Sequence, residues 1–438
     1  MHQSTKSLVV LAACIWPAWS SSCHADPMRL EPIAEVPGTV QAMLVRAKNA
    51  NEVLLATQNP GADCGHGTAA SIWKAVLDPT THNVLRLEKK QDLSNIQNVR
   101  DTLFEAADGT LFAGGGWCGY KPPYFSTDGG ETWQPADAGP VHPPNSTFSF
   151  VGFRGAIYAG TGYEPHNGEV YRWLGQGNWK RVLDIPPPRS IVNNLVVFQE
   201  RLFVGSVIYG WGGKGREASV PVYVSADGEQ FKPTEGIPPG CTVSQLLVAN
   251  DQLLAWADDQ VFAWNGKRWE KLGALAPGIA MNRHAVVVGR ATIVNHGKLP
   301  DDDAEGLYVS NNLGRGWKQV EVVQGITALH AHGDALFVAA QPKGKEASQV
   351  YRAIVDGGLA TIETKPWGAA TPSPGPDPEP TPASGPGSTA RMRVQLADGS
   401  TVTGQLDQGE LVIKTEYGTL RVPIDKLRRI ERVDDGKP

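Results

Sequence analysis

The sequence predicts an all-β protein, and three observations support this prediction. Glycine and proline are abundant, with 49 and 33 residues in a chain of 438, as in folds with many tight turns. Charged residues make up only 19% of the chain and hydrophobic residues 41%, which provides for a sizeable core and argues against disorder. The third observation is a pattern that recurs along the chain: an apolar strand, a tight polar turn and a second apolar strand.

The spacing of this hairpin predicts the architecture. In one copy, Leu103-Phe104-Glu105 precedes a turn at Asp108-Gly109, and Leu111-Phe112-Ala113 follows it. The equivalent second-strand positions are Leu55, Phe112, Tyr158, Phe203, Leu254, Ile293 and Phe337. The first and last are 282 residues apart, so their six spacings average 47 residues. Four-stranded propeller blades repeat every ~40–50 residues. We therefore expect a seven-bladed β-propeller over residues 26–365, with six or eight blades as alternatives.

A second motif follows in the outer half of the repeat. The segment Ser126-Thr127-Asp128-Gly129-Gly130-Glu131-Thr132-Trp133 matches the Asp-box, or BNR repeat, at each defining position, and weaker copies occupy 225–231 and 310–317. Over roughly 40–365 the chain therefore resembles the Asp-box β-propellers, which include sialidases and sortilin-like and photosystem-assembly propellers. Serine and aspartate oxygens can accept hydrogen bonds from nearby backbone N–H groups, and the tryptophan can pack between blades. We interpret these residues as structural: Ser126, Asp128, Gly130, Trp133, Asp227 and Trp317.

The N-terminus predicts export. Lys6 precedes an apolar run from Leu8 to Trp19, and small or polar residues follow up to Ala25, which is the order found in a secretory signal peptide. The run is too short to span a bilayer, which needs ~20 residues. We expect cleavage after residue 25, a location in the periplasm or outside the cell, and no integral membrane segment. A lipid anchor at Cys23 is the alternative, disfavoured because Ser20-Ser21-Ser22 lacks the large aliphatic residue of a lipobox.

Strand order predicts where a ligand binds. If strands A to D run outward in each blade, the A–B turns and the Asp-box turns share one face, and the B–C loops lie on the other. The B–C loops are long, and function concentrates in long loops on rigid scaffolds. Aromatic and polar side chains in such loops suit a glycan or a protein partner. The candidates are His66, Trp117, Tyr120, Tyr163, His166, Tyr209 and Trp211; further B–C loops span 296–303 and 341–346.

Cysteines in the same loops suggest a covalent link. Cys64 and Cys118 occupy equivalent loops of adjacent blades, and an exported protein meets an oxidising environment, so we predict a disulfide between them. Cys241 is expected to be a buried thiol. A metal site is the alternative use of Cys64, His66, Cys118, His166 and His296, but no CxxC or HExxH spacing supports it. Calcium at Asp301–Asp303 is less favoured than a solvated acidic loop. We expect no metal and no cofactor.

The resemblance to sialidases raises an enzymatic alternative. Sialidases bind a carboxylate with three arginines, and Arg100, Arg189 and Arg283 each lie just before or at a predicted first strand, with His284 beside the last. Such arginines could form an anion site by bidentate contacts. The Arg-Ile-Pro motif of sialidases is absent. We therefore favour a non-catalytic binding propeller, with a sialidase-like glycoside hydrolase as the alternative. A net charge of −5 argues against nucleic acid as a partner.

The last part of the chain predicts a separate module. Residues 366–389 contain 8 prolines, as in a polyproline-like spacer. Residues 390–438 contain five short strand-like segments with glycine turns such as Asp398-Gly399, and they resemble an SH3-like or Sm-like barrel. We interpret this segment as a module for partner docking or surface attachment.

Overall fold

The computed structural model describes much of the chain between residues 28 and 432. The described ranges are 28–59, 70–94, 96, 99, 102–116, 122–137, 146–163, 166–186, 190–208, 220–274, 285–296, 306–355, 365–366, 391–395, 401–407, 410–415, 418–423 and 430–432. Within these ranges the chain forms strands and turns and no helix. None of the described residues therefore belongs to a helix long and apolar enough to cross a membrane.

The strands follow one another closely along the chain. Strands β1–β5 are Met28–Pro37, Thr39–Arg46, Asn49–Gln58, Ala70–Leu77 and Val84–Leu93. Strands β6–β13 are Leu103–Glu105, Leu111–Ala113, Tyr124–Ser126, Gln134–Pro135, Thr147–Phe153, Ala156–Tyr163, His166–Gly175 and Asn178–Ile185. Strands β14–β21 are Ser190–Phe198, Arg201–Ile208, Tyr223–Ser225, Lys232–Pro233, Val243–Ala249, Gln252–Ala257, Gln260–Trp264 and Trp269–Ala274. Strands β22–β29 are Ala285–Val288, Ala291–His296, Gly306–Ser310, Gly316–Val322, Ile326–His332, Ala335–Ala340, Ala347–Val355 and Lys365–Pro366. Strands β30–β34 are Arg391–Gln395, Thr401–Asp407, Glu410–Thr415, Gly418–Pro423 and Ile430–Arg432.

The repeated hairpin forms the inner two strands of each sheet. Strands β2 and β3 pair antiparallel with Met43 opposite Leu55, and β18 and β19 pair in the same way with Leu247 opposite Leu254. Both faces of the second strand are covered, so successive residues such as Leu254, Ala255 and Trp256 are all buried. This explains why these strands are continuously apolar in the sequence rather than alternating. The outer strand β5 has mostly exposed or half-buried residues.

The sheets form a closed ring. The first strands of successive sheets contact one another in chain order, as β10 contacts β14, β14 contacts β18, β18 contacts β22, and β22 contacts β26. Strand β2 contacts both β6 and β26, and this contact closes the ring. Strands β6 and β10 are linked by the stacked rings of Phe104 and Phe150, whose centroids are 6.1 Å apart. The fold is an all-β propeller.

The expectation of seven separate blades is wrong. Among the described residues, the ring contains five sheets of blade size: β2–β5, β6–β9, β18–β21, β22–β25 with β29 added, and β26–β28 with β1. The eight strands β10–β17 form one continuous sheet instead of two. The reason is a bridge between Gly162 at the end of β11 and Ile191 in β14, where the second strand of one hairpin runs on to pair with the first strand of the next.

The N-terminal strand closes the last sheet. Strand β1 pairs antiparallel with β28, from Met28 opposite Val355 to Pro37 opposite Ala347, so this sheet has the order β1-β28-β27-β26. Met28 and Val36 are completely buried. The first described strand is therefore the outermost strand of the last sheet. The hairpin repeat in the sequence does not predict this pairing.

Residues 370–438 form a second compact unit, separate from residues 1–369. Its strands make one antiparallel sheet in the order β33-β32-β31-β30-β34. Strand β30 pairs with both β31 and β34. The resemblance to an SH3-like or Sm-like barrel stays a prediction.

Candidate binding cleft

The best Asp-box forms a turn held by its own side chains. The Asp128 carboxylate accepts hydrogen bonds from the backbone N–H groups of Glu131 and Thr132, each at 3.0 Å to Oδ1. Ser126 Oγ donates to Asp128 Oδ1 at 2.8 Å and accepts from the N–H of Gly130 at 2.9 Å. Burial alone would raise the pKa of Asp128, but the hydrogen bonds from Thr132, Ser126 and Glu131 outweigh it and lower that pKa to about 2.

The tryptophan of this Asp-box is part of the core. Trp133 is buried, and its indole N–H donates to the carbonyl of Gly130 at 3.2 Å. Its backbone N–H donates to Gln91 Oε1 of the preceding sheet at 2.8 Å. These contacts give Ser126, Asp128, Gly130 and Trp133 structural roles.

Two weaker copies repeat the geometry. Asp227 accepts from the N–H groups of Glu229 and Gln230, each at 2.8 Å, and these bonds lower its pKa to about 2. In the third copy Asn312 replaces the aspartate and accepts from the N–H of Gly316 at 2.8 Å, while Trp317 is buried. An amide oxygen is therefore sufficient for this turn.

The Asp-box turns and the A–B turns share one end of the propeller, as the strand order predicts. Arg46, at the end of β2, donates from Nη1 to the carbonyl of Gly129 at 2.9 Å. Arg46 Nη2 also lies 3.1 Å from Oε1 of Glu105, and both side chains are buried. We call this end the turn face and the opposite end, where second strands lead into third strands, the loop face.

Most of the predicted ligand-binding residues lie outside the described residues. They are Arg100, Arg189, Arg283, His284, His66, Trp117, Tyr120, Tyr209 and Trp211, together with Cys64 and Cys118 of the predicted disulfide. Their roles stay predictions. Cys241, expected to be buried, is half-buried and unpaired, and burial raises the pKa of its thiol.

The loop expected between Tyr163 and His166 is not a long one. Strands β11 and β12 remain paired up to these two residues, which lie opposite each other. Only two residues therefore connect the strands. Within this hairpin Thr161 lies opposite Glu169, and its hydroxyl donates to the Glu169 carbonyl at 3.3 Å.

A cleft of about 880 Å³ lies on the loop face where the last sheet meets the first. It is within the range of ligand pockets, about 300–1,000 Å³. We call it the seam cleft. Its lining residues are Glu35, Pro37, Gly38, Asn59, Trp73, Lys89, Pro342, Lys345, Glu346, Ala347, Gln349 and Tyr351. Of the predicted loops, only 341–346 contributes a segment that the structure describes here.

Each wall of the seam cleft carries an aromatic ring. Trp73 lies on β4 of the first sheet, half-buried, and its indole N–H is held by Thr57 Oγ1 at 3.1 Å. Tyr351 lies on β28 of the last sheet, also half-buried. The two rings therefore line the cleft from the first and the last sheet.

The charged residues of the seam cleft balance in number, with Glu35 and Glu346 opposed by Lys89 and Lys345. Lys89 forms an ion pair with Asp92, with 2.6 Å between Nζ and Oδ1. Among the described residues the other three make no ion pair, and they are exposed.

Hydrogen bonds across the seam hold the rim of the cleft. The N–H of Gly38 donates to the carbonyl of Glu346 at 2.9 Å, and Gln341 Nε2 donates to the carbonyl of Lys345 at 2.9 Å. The Thr39 hydroxyl donates to Gln341 Oε1. The loop 341–346 is therefore fixed to the connection between β1 and β2.

The aromatic residues on the walls of the seam cleft were not among the binding residues predicted from the sequence. Trp73 and Tyr351 lie in third strands and have the pattern of core residues. The sequence did indicate one part of the cleft: the hairpin repeat predicts that 341–346 is a B–C loop on the loop face. Within the described ranges, no group of three or more His, Cys, Asp or Glu side chains could hold a metal ion.

Comparisons with known proteins do not assign the chain to a family. No protein-family model and no curated protein matches the chain. Among solved structures, the chain is similar to the WD40 β-propeller domain of Doa1, at 10% identity over 74% of this chain and 96% of that one, with a TM-score of 0.47. It is also similar to the Cps50 (Swd1) β-propeller domain of Myceliophteria thermophila, at 10% identity over 74% and 99% of the chains, with a TM-score of 0.47. The AfRom2 CNH domain is similar at 9% identity over 74% and 98% of the chains, with a TM-score of 0.45. These similarities are too distant to indicate what the chain binds.

Proposed function

We propose that this chain is an exported, non-catalytic binding propeller that holds part of a glycan or a protein partner in the seam cleft. The observation that carries the proposal is the cleft itself, an open space with an aromatic residue on each wall and charged residues of both signs. Rings supply apolar contact area, and a few polar groups fix the orientation of a ligand.

The Asp-box carboxylates do not supply a competing site. Both carboxylate oxygens of Asp128, and Oδ1 of Asp227, accept hydrogen bonds from their own turns, and these turns are on the turn face. The signal-like pattern of residues 1–25 supports export.

The test is retention of the full-length protein on an array of glycans and peptides. We compare the natural sequence with two variants. Glu35→Arg reverses a charge in the lining of the cleft, and the control Glu200→Arg makes the same change at an exposed residue in the β14–β15 turn on the turn face. We expect Glu35→Arg to lose the retained ligand and Glu200→Arg to keep it, and we expect the ligand to be recovered unchanged. Equal retention by both variants, or consumption of the ligand, would contradict the proposal.

A further inference from the structure

The chemistry of the seam cleft narrows the class of ligand. We infer that the cleft binds a neutral oligosaccharide, in preference to an anionic sugar or an extended peptide. The inference rests on the proposed function and concerns the same site. Three features of the cleft support it: the excess of carboxylates among its unpaired charges, the mixture of its hydrogen-bonding groups and the proline content of its edge strand.

The charge of the lining favours a neutral ligand. Because Lys89 is paired with Asp92 at 2.6 Å, an anionic ligand would meet Glu35 and Glu346 with only Lys345 to offset them. A like charge that loses its hydration in a cleft weakens binding, so a ligand without net charge fits better than an anionic one.

The polar groups suit hydroxyl groups. Each hydroxyl donates one hydrogen bond and accepts others. The lining offers an ammonium donor from Lys345 and carboxylate acceptors from Glu35 and Glu346. The amides of Asn59 and Gln349 also line the cleft, but they already bond Ser71 and the carbonyl of Ala34, respectively. A sugar carries many hydroxyls around an apolar ring face, and rings such as Trp73 and Tyr351 provide flat apolar surfaces for such a face.

An extended peptide fits the edge of the cleft less well. A peptide that binds by strand addition needs a row of free backbone donors along a sheet edge. Strand β1 is the edge of the last sheet, and it contains Pro32 and Pro37, which have no N–H group. Pro37 itself lines the cleft. The prolines make strand addition along this edge unfavourable.

The test is binding of the full-length protein to a glycan array and, for the glycans retained, isothermal titration calorimetry. Lactose and 3′-sialyllactose form a matched pair that differs by one anionic sugar, and acetylated Lys-rich and Glu-rich decapeptides represent peptides. We expect at least one neutral oligosaccharide to bind, and Tyr351→Ala to weaken its binding at least tenfold. Tyr351→Phe keeps the ring and should stay within about threefold. A melting temperature for each variant shows that it is folded.

The outcomes separate the two proposals. Tighter binding of 3′-sialyllactose than of lactose, or binding of a decapeptide with no neutral glycan retained, would overturn the neutral-glycan inference while leaving the seam cleft as the binding site. Retention of no neutral glycan at all would overturn it as well. Binding of a neutral glycan that is equal in Tyr351→Ala and the natural sequence would overturn both this inference and the proposed function, because the ligand would then lie elsewhere.

Discussion

At the scale of single residues, the Asp-box depends on hydrogen-bond acceptors rather than on charge. Asp128 and Asp227 each accept backbone N–H groups of their own turns, and Asn312 does so with an amide oxygen. The three turns close at the same point of the repeat although their side chains differ in charge. The aromatic residue that follows each turn, Trp133, Phe231 or Trp317, packs against the core.

The first prediction separates acceptor from charge. Asp128→Ala should lower the free energy of unfolding by about 1–2 kcal/mol, as for other lost caps, because the N–H groups of Glu131 and Thr132 lose their acceptor. Asp128→Asn should lose less than half of that. Urea unfolding monitored by tryptophan fluorescence measures both. Equal losses for the two variants would show that the charge, not the acceptor, stabilises the turn.

The second prediction concerns pH and His330. The N–H of Val45 donates to His330 Nε2 at 3.1 Å across the seam, which requires a neutral ring. Burial, with a smaller contribution from His332, lowers the pKa of His330 to about 4, below the unfolded value of about 6.5. The stabilisation is therefore complete above pH 6.5 and is lost as the pH falls from 6.5 towards 4.

The measurement compares unfolding free energies at pH 7 and pH 5. The natural sequence should lose up to about 2 kcal/mol more than His330→Gln over this interval, because glutamine does not titrate. The same pH dependence in both proteins would assign the acid sensitivity to other groups.

At the scale of strands, the bridge at Gly162 joins two hairpins into one sheet. Gly162 has φ of +149°, and a Cβ there would lie 2.2 Å from the carbonyl oxygen of Ser190. Only glycine fits such a close approach of two backbones. This single position explains why β10–β17 do not separate into two blades.

The third prediction tests that bridge with a matched pair. Gly162→Ala should destabilise the protein by at least about 2 kcal/mol more than Gly155→Ala. Gly155 also has a positive φ, +74°, but a Cβ there meets nothing within 4 Å, so it controls for backbone strain alone. Thermal unfolding monitored by circular dichroism compares them. Similar melting temperatures would mean that the Ser190 backbone moves aside at little cost.

The hairpins and the Asp-box turns could be predicted from the sequence because each is a local pattern. Leu111 and Phe112 are both apolar because both faces of β7 are covered. The Asp-box turn is predicted by the residues that form it, including Asp128. The pairing of β1 with β28 could not be predicted, because it joins residues more than 300 positions apart. Trp73 and Tyr351 could not be assigned to one cleft for the same reason: they are 278 positions apart in the sequence, and only closure of the ring brings their sheets together.

At the scale of the whole molecule, the closure of the ring and the seam cleft depend on the same residues. The Ser348 hydroxyl donates to the carbonyl of Gly38 and accepts from the N–H of Val40, each at 2.9 Å. These bonds lie beneath the rim of the cleft. A ligand that contacts both walls would therefore also stabilise the closure, by the usual linkage between binding and folding.

The fourth prediction tests the contribution of β1 to the closure. Val36→Asp should lower the melting temperature by more than about 10 °C or prevent folding, because it puts an unpaired charge where the side chain is completely buried. Arg29→Ala, on the same strand, removes an exposed ion pair with Glu31 and should change stability by less than about 1 kcal/mol. If Val36→Asp melts like the natural sequence, β1 does not hold the ring closed.

The location of the ligand is tested most directly by hydrogen–deuterium exchange of the full-length protein, with and without a saturating neutral oligosaccharide from the array. We expect slower exchange in 341–349, in the connection at Gly38–Thr39 and around Trp73, with no change in the Asp-box turn at 126–133. Protection confined to other parts of the propeller, or none around the seam cleft, would contradict the account.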